Sequence, residues 1–315
     1  MIKCLLTSSA MIICIAESSL ARLDASFTER SQSISSPSSA IALFEEYQKE
    51  YQGAFKLIHS RSRPATRSVL LIHPYTRGPY TMEEIGHLLY KQGYNVIAIQ
   101  LEGHGNRNQS HNLANVSLED WIADAKFGWA LTRAVGMESI VVGYSLGGLL
   151  GLYLAKTHQQ EVKAFVGIAP MVGVNISGAR LSCVGRQIMK LAPSFVTYYQ
   201  REFIAGACAI RDLLDVVIPP ISQAKSQQAR KDFHYHMRDV FSEIKTPTLI
   251  AFSDIDQIVS LNQGTRPMLA YLGTKPMVLE YKASDHVDHL TIIENHKNYE
   301  GRDLLGEIST FLKSL

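Results

Sequence analysis

The sequence predicts an α/β fold, a mostly parallel central sheet flanked by helices with a helical cap inserted. Three observations predict it. Short apolar runs alternate with helical patterns from about residue 68 to the end of the chain. One of those runs leads straight into a glycine-rich turn and then an apolar helix, at Ser139–Leu150. The alternation breaks between about Val172 and Ile244 and then resumes. Alternating strand and helix implies parallel pairing with right-handed crossovers. The interruption, about seventy residues long, is larger than a loop and reads as a cap.

The 315 residues fit one large α/β domain with an insertion. The 31 basic and 29 acidic residues nearly cancel, which argues against a nucleic-acid binder with its basic patch or stripe. The N-terminus is set apart. Lys3 precedes a mostly apolar run from Cys4 to Ala16, and small residues permit cleavage after Ala16 or Ala21. These are the parts of a secretory signal peptide, expected over residues 1–21 and too short to span a membrane. A serine-rich leader over 22–40 is then expected before a domain over 41–315. A cleaved leader implies a secreted or periplasmic protein; an uncleaved one implies the cytoplasm. Cys4 and Cys14 would leave with the peptide. Cys183 and Cys208 could pair in an oxidising compartment or stay as buried thiols.

In chain order, Ile41–Gln52 has an amphipathic helical pattern, Ala54–His59 is a strand, and Arg61–Pro64 a turn. Ser68–His73 is apolar enough to be a strand buried on both faces. Thr81–Gln92 places Met82, Ile85, Leu88 and Leu89 on one helical side, and Asn95–Gln100 is the next strand. Ser117 caps a helix running to about Ala134. Ser139–Tyr144, Leu146–Lys156 and Ala164–Ala169 continue the alternation. Pro193, Pro219 and Pro220 divide the cap into short pieces. Pro247–Phe252 and Met277–Tyr281 complete the strands, and Asp303–Leu315 is the closing helix.

Gly143-Tyr144-Ser145-Leu146-Gly147 is a G-x-S-x-G elbow in the strand–turn–helix setting the motif needs. A serine on so sharp a turn leaves no room for side chains two residues away on either side. Function in parallel sheets gathers at the carboxyl ends of strands. A serine hydroxyl needs a base, and the base an orienting acid. After one strand lie Asp254 and Asp256; after the last lie His286 and His289. The order Ser, Asp, His is therefore available, each residue after its own strand. His234-Tyr235-His236 in the cap offers two histidines but no zinc-ligand spacing. Neither metal nor cofactor is expected.

From about Val69 to Leu315 the chain resembles the α/β-hydrolase superfamily, nearest its monoacylglycerol lipase and carboxylesterase branch of serine aminopeptidase type. Leu71-Ile72-His73-Pro74-Tyr75-Thr76 is similar to that branch's His-Gly-x oxyanion segment, with Pro74 replacing the glycine. Gly103-His104-Gly105, Glu119-Asp120-Trp121 and Gly143–Gly148 resemble further family segments. The family's acid lies three residues beyond a strand-closing glycine, where this chain has Ser253, and a Gln-Ile-Val run follows it. The resemblance thus implies Asp256 as acid, with Asp254 the alternative. Ser284-Asp285-His286-Val287 is similar to the family's Ser-x-His-Val, implying His286 as base, with His289 the alternative. It also implies oxyanion donors at the backbone N–H groups of Tyr75 and Leu146, and hydrolysis of a small-molecule or lipid-like carboxylic ester through Ser145. Apolar cap residues such as Ile188, Met189, Leu191, Phe195, Phe203 and Ile204 could line an acyl pocket or simply pack on the sheet. A thioesterase, an aminopeptidase or a non-catalytic binding protein on the same fold remain the alternatives.

Overall fold

The computed structural model describes residues 34–105, 112–113, 116–174, 198–219, 223, 226–228, 231–294 and 303–315, with 198–205 as backbone only. The signal-peptide expectation, Cys183, and the cap residues Ile188, Met189, Leu191 and Phe195 lie outside the described residues. So do the side chains of Phe203 and Ile204.

Among the described residues, seven strands form one sheet in the order β1-β3-β2-β4-β5-β6-β7. They are β1 (Phe55–Leu57), β2 (Ala65–Ile72), β3 (Tyr94–Ile99), β4 (Gly136–Tyr144), β5 (Val162–Ile168), β6 (Thr248–Ser253) and β7 (Met277–Tyr281). Only the β1–β3 pair is antiparallel; the remaining pairs are parallel. Successive residues of the central strands point to opposite faces, and both faces are buried. Leu70, Ile72, Val141 and Phe165 belong to one core, and Val69, Leu71, Val142 and Val166 to the other. That two-sided burial explains why these strands read as continuous apolar runs.

The first core is covered by α1 (Pro37–Glu50), α3 (Leu118–Val135) and α4 (Leu146–Thr157), which contribute Phe44, Trp121, Leu131 and Leu149. The second is covered by α2 (Glu83–Lys91) and α8 (Leu304–Lys313) through Ile85, Leu89, Ile308 and Leu312. Between β5 and β6 lie α5 (Tyr198–Val217) and α6 (Phe233–Phe241), so the insertion contains helices among its described residues. A π-helical turn over Leu261–Thr265 and α7 (Arg266–Tyr271) follow β6. Among the described residues, no helix is long and apolar enough to cross a membrane.

Local chemistry sets several boundaries. Helix α1 starts at Pro37, inside the expected leader, because Ser36 and Ser39 form a reciprocal capping box and Pro37 suits the first turn. Ser117 and Asp120 make the same box at the start of α3. Strand β4 begins at Gly136, three residues earlier than its apolar run, because Gly136 and Glu138 pair with Ala65 and Arg67 of β2. Cys208, on α5, is disulfide-bonded; the other three cysteines lie outside the described residues.

Candidate active site

The nucleophile elbow is made by the backbone. Ser145 sits between the last residue of β4 and the first of α4, at φ 54° and ψ −111°. Such a conformation costs a non-glycine residue on the order of 1–3 kcal/mol and persists only where its surroundings enforce it. Here they do. The Ser145 N–H donates to Ile168 O at 2.8 Å, and Ser145 O accepts from Leu149 N at 3.1 Å and Met171 N at 3.0 Å. The flanking glycines are compulsory. A Cβ on Gly143 would stand 2.1 Å from Gly147 O, and one on Gly147 would stand 2.1 Å from Ile72 O.

Asp256 lies three residues past the end of β6. Its Oδ1 accepts from the N–H groups of Ile258 and Val259, both at 2.8 Å. Its Oδ2 accepts from Nδ1 of His289 at 2.7 Å. His289 Nε2 in turn lies 2.8 Å from Ser145 Oγ. The acid donates nothing, so the imidazole carries its proton on Nδ1 and leaves Nε2 to accept from the serine. Ser145, Asp256 and His289 are all buried.

The expected base, His286, is therefore displaced by its alternative. His286 ends a short 3₁₀ turn, Ala283–Asp285, at φ 53°, and is exposed. The chain alternates beyond it: Val287 and His289 are buried, while Asp288 and Leu290 are exposed. A three-residue difference thus turns one histidine to solvent and the other to the serine. A local signal did exist. Asp288 Oδ1 accepts from Leu290 N and Thr291 N, both at 2.9 Å, and the Thr291 hydroxyl accepts from Asp288 N at 3.0 Å. This Asp-x-x-Thr pattern marks a tight turn with His289 directly after its leading Asp288. Asp254, the alternative acid, is instead a turn residue with Lys282 Nζ at 3.5 Å and Arg266 at 3.9 Å.

The segment after β2 brings Tyr75 to the same place. His73 is buried, and its Nε2 accepts from Leu101 N at 3.0 Å. Its Nδ1 must then be the donor to Pro74 O, at 2.9 Å. This neutral imidazole ties the loop to the turn after β3. The Tyr75 ring makes edge contacts with His104 and Trp121, at 5.8 and 6.1 Å between centroids. Its hydroxyl rests on Gly206 of α5, where a Cβ would come within 1.8 Å. Leu146 supplies the first N–H of α4, one of those that a helix leaves without an intrahelical acceptor.

Ser145 and His289 open onto a cavity of about 400 Å³, within the range of small-molecule sites. Met171, Ile258, Leu290 and Ile293 give it apolar wall. Arg77, Glu83, Glu84 and Glu294 also line it, three carboxylates to one guanidinium. The cap histidines are engaged separately: His236 Nε2 lies 2.6 Å from Pro219 O, and His234 Nδ1 lies 3.3 Å from the Tyr271 hydroxyl.

Comparison with known proteins agrees with this architecture. Residues 63–296 match the family model described as Serine aminopeptidase, S33. The chain is 33% identical over 90 residues to a thermostable monoacylglycerol lipase of Bacillus sp. (strain H-257), covering 29% of this chain and 35% of that protein. It is 35% identical over 92 residues to a carboxylesterase of Bacillus subtilis (strain 168), covering 29% and 37%. Each match thus spans little more than a third of the relative. The solved monoacylglycerol lipase of Paleococcus ferrophilus superposes over 76% of this chain and 96% of its own, with a TM-score of 0.52 and 17% identity. At that identity the likeness is one of fold, the α/β-hydrolase fold.

Proposed function

The chain belongs to the serine aminopeptidase S33 family, and from that premise we propose that it is a serine hydrolase cleaving carboxylic esters through an acyl-enzyme on Ser145. The observation that carries the reading is the hydrogen-bonded chain from Ser145 Oγ through His289 to Asp256, opening onto the cavity.

The chemistry follows from the geometry. As Ser145 Oγ attacks the ester carbonyl, His289 Nε2 takes its proton. Asp256 holds the imidazole in the tautomer that can accept it and stabilises the resulting cation. Negative charge on the carbonyl oxygen is met by the N–H groups of Leu146 and Tyr75, the former at a helix N-terminus. Each such donor contributes about 2.7–4 kcal/mol in the transition state. Collapse of the tetrahedral intermediate expels the alcohol, which receives the proton from His289. Water, activated by the same histidine, then releases the acid and regenerates Ser145.

Apolar wall beside charged wall suits a substrate with a hydrocarbon part and a polar part, such as a monoacylglycerol or a medium-chain ester. The relatives named lipase and esterase support this class. The three cavity carboxylates favour one second reading, an aminopeptidase whose substrate carries a free amine near the scissile bond. The disulfide at Cys208 supports a secreted or periplasmic location, together with the signal-like N-terminus. An intact Met1 or Ile2 on the mature protein, read by mass spectrometry, would exclude secretion by a cleaved leader.

The decisive assay is hydrolysis of p-nitrophenyl esters of graded chain length against aminoacyl p-nitroanilides, by wild type and Ser145→Ala. Ester turnover that vanishes in the variant is expected. Turnover of the anilides alone would move the function to the second reading. A folded protein that neither turns over nor reacts with a fluorophosphonate would be a binding protein.

A further inference from the structure

The loop that carries His289 leaves the sheet after β7, yet the groups it must meet stand on other strands. Two hydroxyls bridge the gap. The Tyr144 hydroxyl, on the last residue of β4, donates to the backbone carbonyl of His289. The Ser253 hydroxyl, on the last residue of β6, donates to the backbone carbonyl of Val287. Both donors are buried.

We infer that Ser253 and Tyr144 are positioning residues that clamp the base-bearing loop to the strands carrying acid and nucleophile. The inference rests on the role given above to His289. The bonded carbonyls are those of residues 287 and 289, so the Val287–Asp288 and His289–Leu290 peptide planes, which flank the Asp288–His289 peptide, are fixed. With the backbone pinned on both sides of His289's own peptide, its side chain is settled by Ser145 and Asp256. Ser253 also reaches the acid. Its Oγ accepts from Ile255 N at 3.3 Å, and its carbonyl accepts from Asp256 N at 3.2 Å. One serine thereby joins the acid turn to the base loop. Tyr144 does the same between nucleophile and base, since it immediately precedes Ser145 and its ring lies 5.8 Å from the imidazole. Burial, and after it the charge of Asp256, push the Tyr144 phenol well above its ordinary value, so it stays a donor at any working pH; the Arg77 charge opposes this only in part. Displacement of a catalytic group by about 1 Å can cost on the order of a hundredfold in rate. A loop free to drift by that distance loses turnover without losing substrate binding.

The test compares Ser253→Ala, Ser253→Thr and Tyr144→Phe with wild type and with Ser145→Ala and His289→Ala. Turnover of the best ester, the rate of fluorophosphonate labelling at Ser145 and the melting temperature are measured for each. Ser253→Ala is expected to lower kcat and the labelling rate about tenfold or more with KM unchanged, because Ser253 does not line the cavity. Ser253→Thr keeps the hydroxyl and should restore much of the rate. Tyr144→Phe should act in the same direction, though Tyr144 lines the cavity and KM can move with it. A fall in melting temperature with kcat and labelling at wild-type values in both single-atom deletions would overturn the inference, leaving the hydroxyls as structural bonds only. A wild type that does not label at all would overturn the catalytic reading first, which is a different result.

Discussion

The elbow and the base loop stand hydrogen-bonded to each other, yet they are held by different means. Ser145 is fixed by main chain. Its N–H and C=O are bonded to Ile168, Leu149 and Met171, and two glycines allow backbones to pass where no side chain fits. His289 is fixed by side chains from elsewhere: Ser253, Tyr144, Asp256 and Ser145 itself. Main-chain constraint is steric and leaves a rigid sequence signature. Side-chain constraint is chemical and leaves hardly any signature, because serine and tyrosine occur everywhere.

The largest effects separate the two regions at their reacting atoms. Ser145→Ala and His289→Ala should each lower kcat by about four to six orders of magnitude, while His286→Ala stays within about twofold. Steady-state ester hydrolysis checks all three, and a collapse in His286→Ala would break the assignment of the base. The next effect is on stability. Gly147→Ala forces a methyl onto the Ile72 carbonyl and should cost about 3 kcal/mol or more, seen as a lower urea midpoint or loss of soluble protein. Tolerance of alanine there would show that the elbow is not sterically fixed.

A third region sharpens the contrast. The proposed oxyanion segment is held through the Tyr75 ring against Gly206 of α5. Gly206→Ala should displace that ring and lower kcat about tenfold, with melting temperature changed much less than in Gly147→Ala. Equal kcat in Gly206→Ala and wild type would detach the cap helix from the oxyanion segment. The smallest effect lies far from all three. Glu45 of α1 accepts two hydrogen bonds from Arg61, which hold its carboxyl at about 2, with a lesser contribution from Lys56. The folded value is below the unfolded one, so this contribution is present at neutral pH and lost as pH falls toward 2. The pair is exposed, and Arg61→Ala should shift the melting temperature at pH 7 by about two degrees at most, leaving ester turnover unchanged.

Much of the fold was legible because the burial is periodic. Val69–Ile72, Val96–Ile99 and Ile140–Val142 are apolar on both faces, and only a covered parallel sheet needs that. Ser117 with Asp120 announced a helix start by chemistry confined to four residues. The start of β4 was not legible, since Gly136, the 70% exposed Met137 and Glu138 carry no apolar pattern and pair with β2 only through backbone. The helical turns over Leu261–Tyr271 went unread as well; Gly264 and Pro267 interrupt any helical period there.

By itself the sequence determined the alternating architecture, the place of the elbow at Ser145 and the place of the proposed acid, Asp256, past a strand end. Each rests on a local requirement: apolar period, glycine clearance, or distance past a strand end. Which histidine faces the serine was decided by the tertiary structure. His286 and His289 are three residues apart on the same loop, and composition does not distinguish them. The choice depends on where β4 and β6 place the Tyr144 and Ser253 hydroxyls, on positions 145 and 36 residues earlier in the chain than His289, and a long-range hydrogen bond has no period to read.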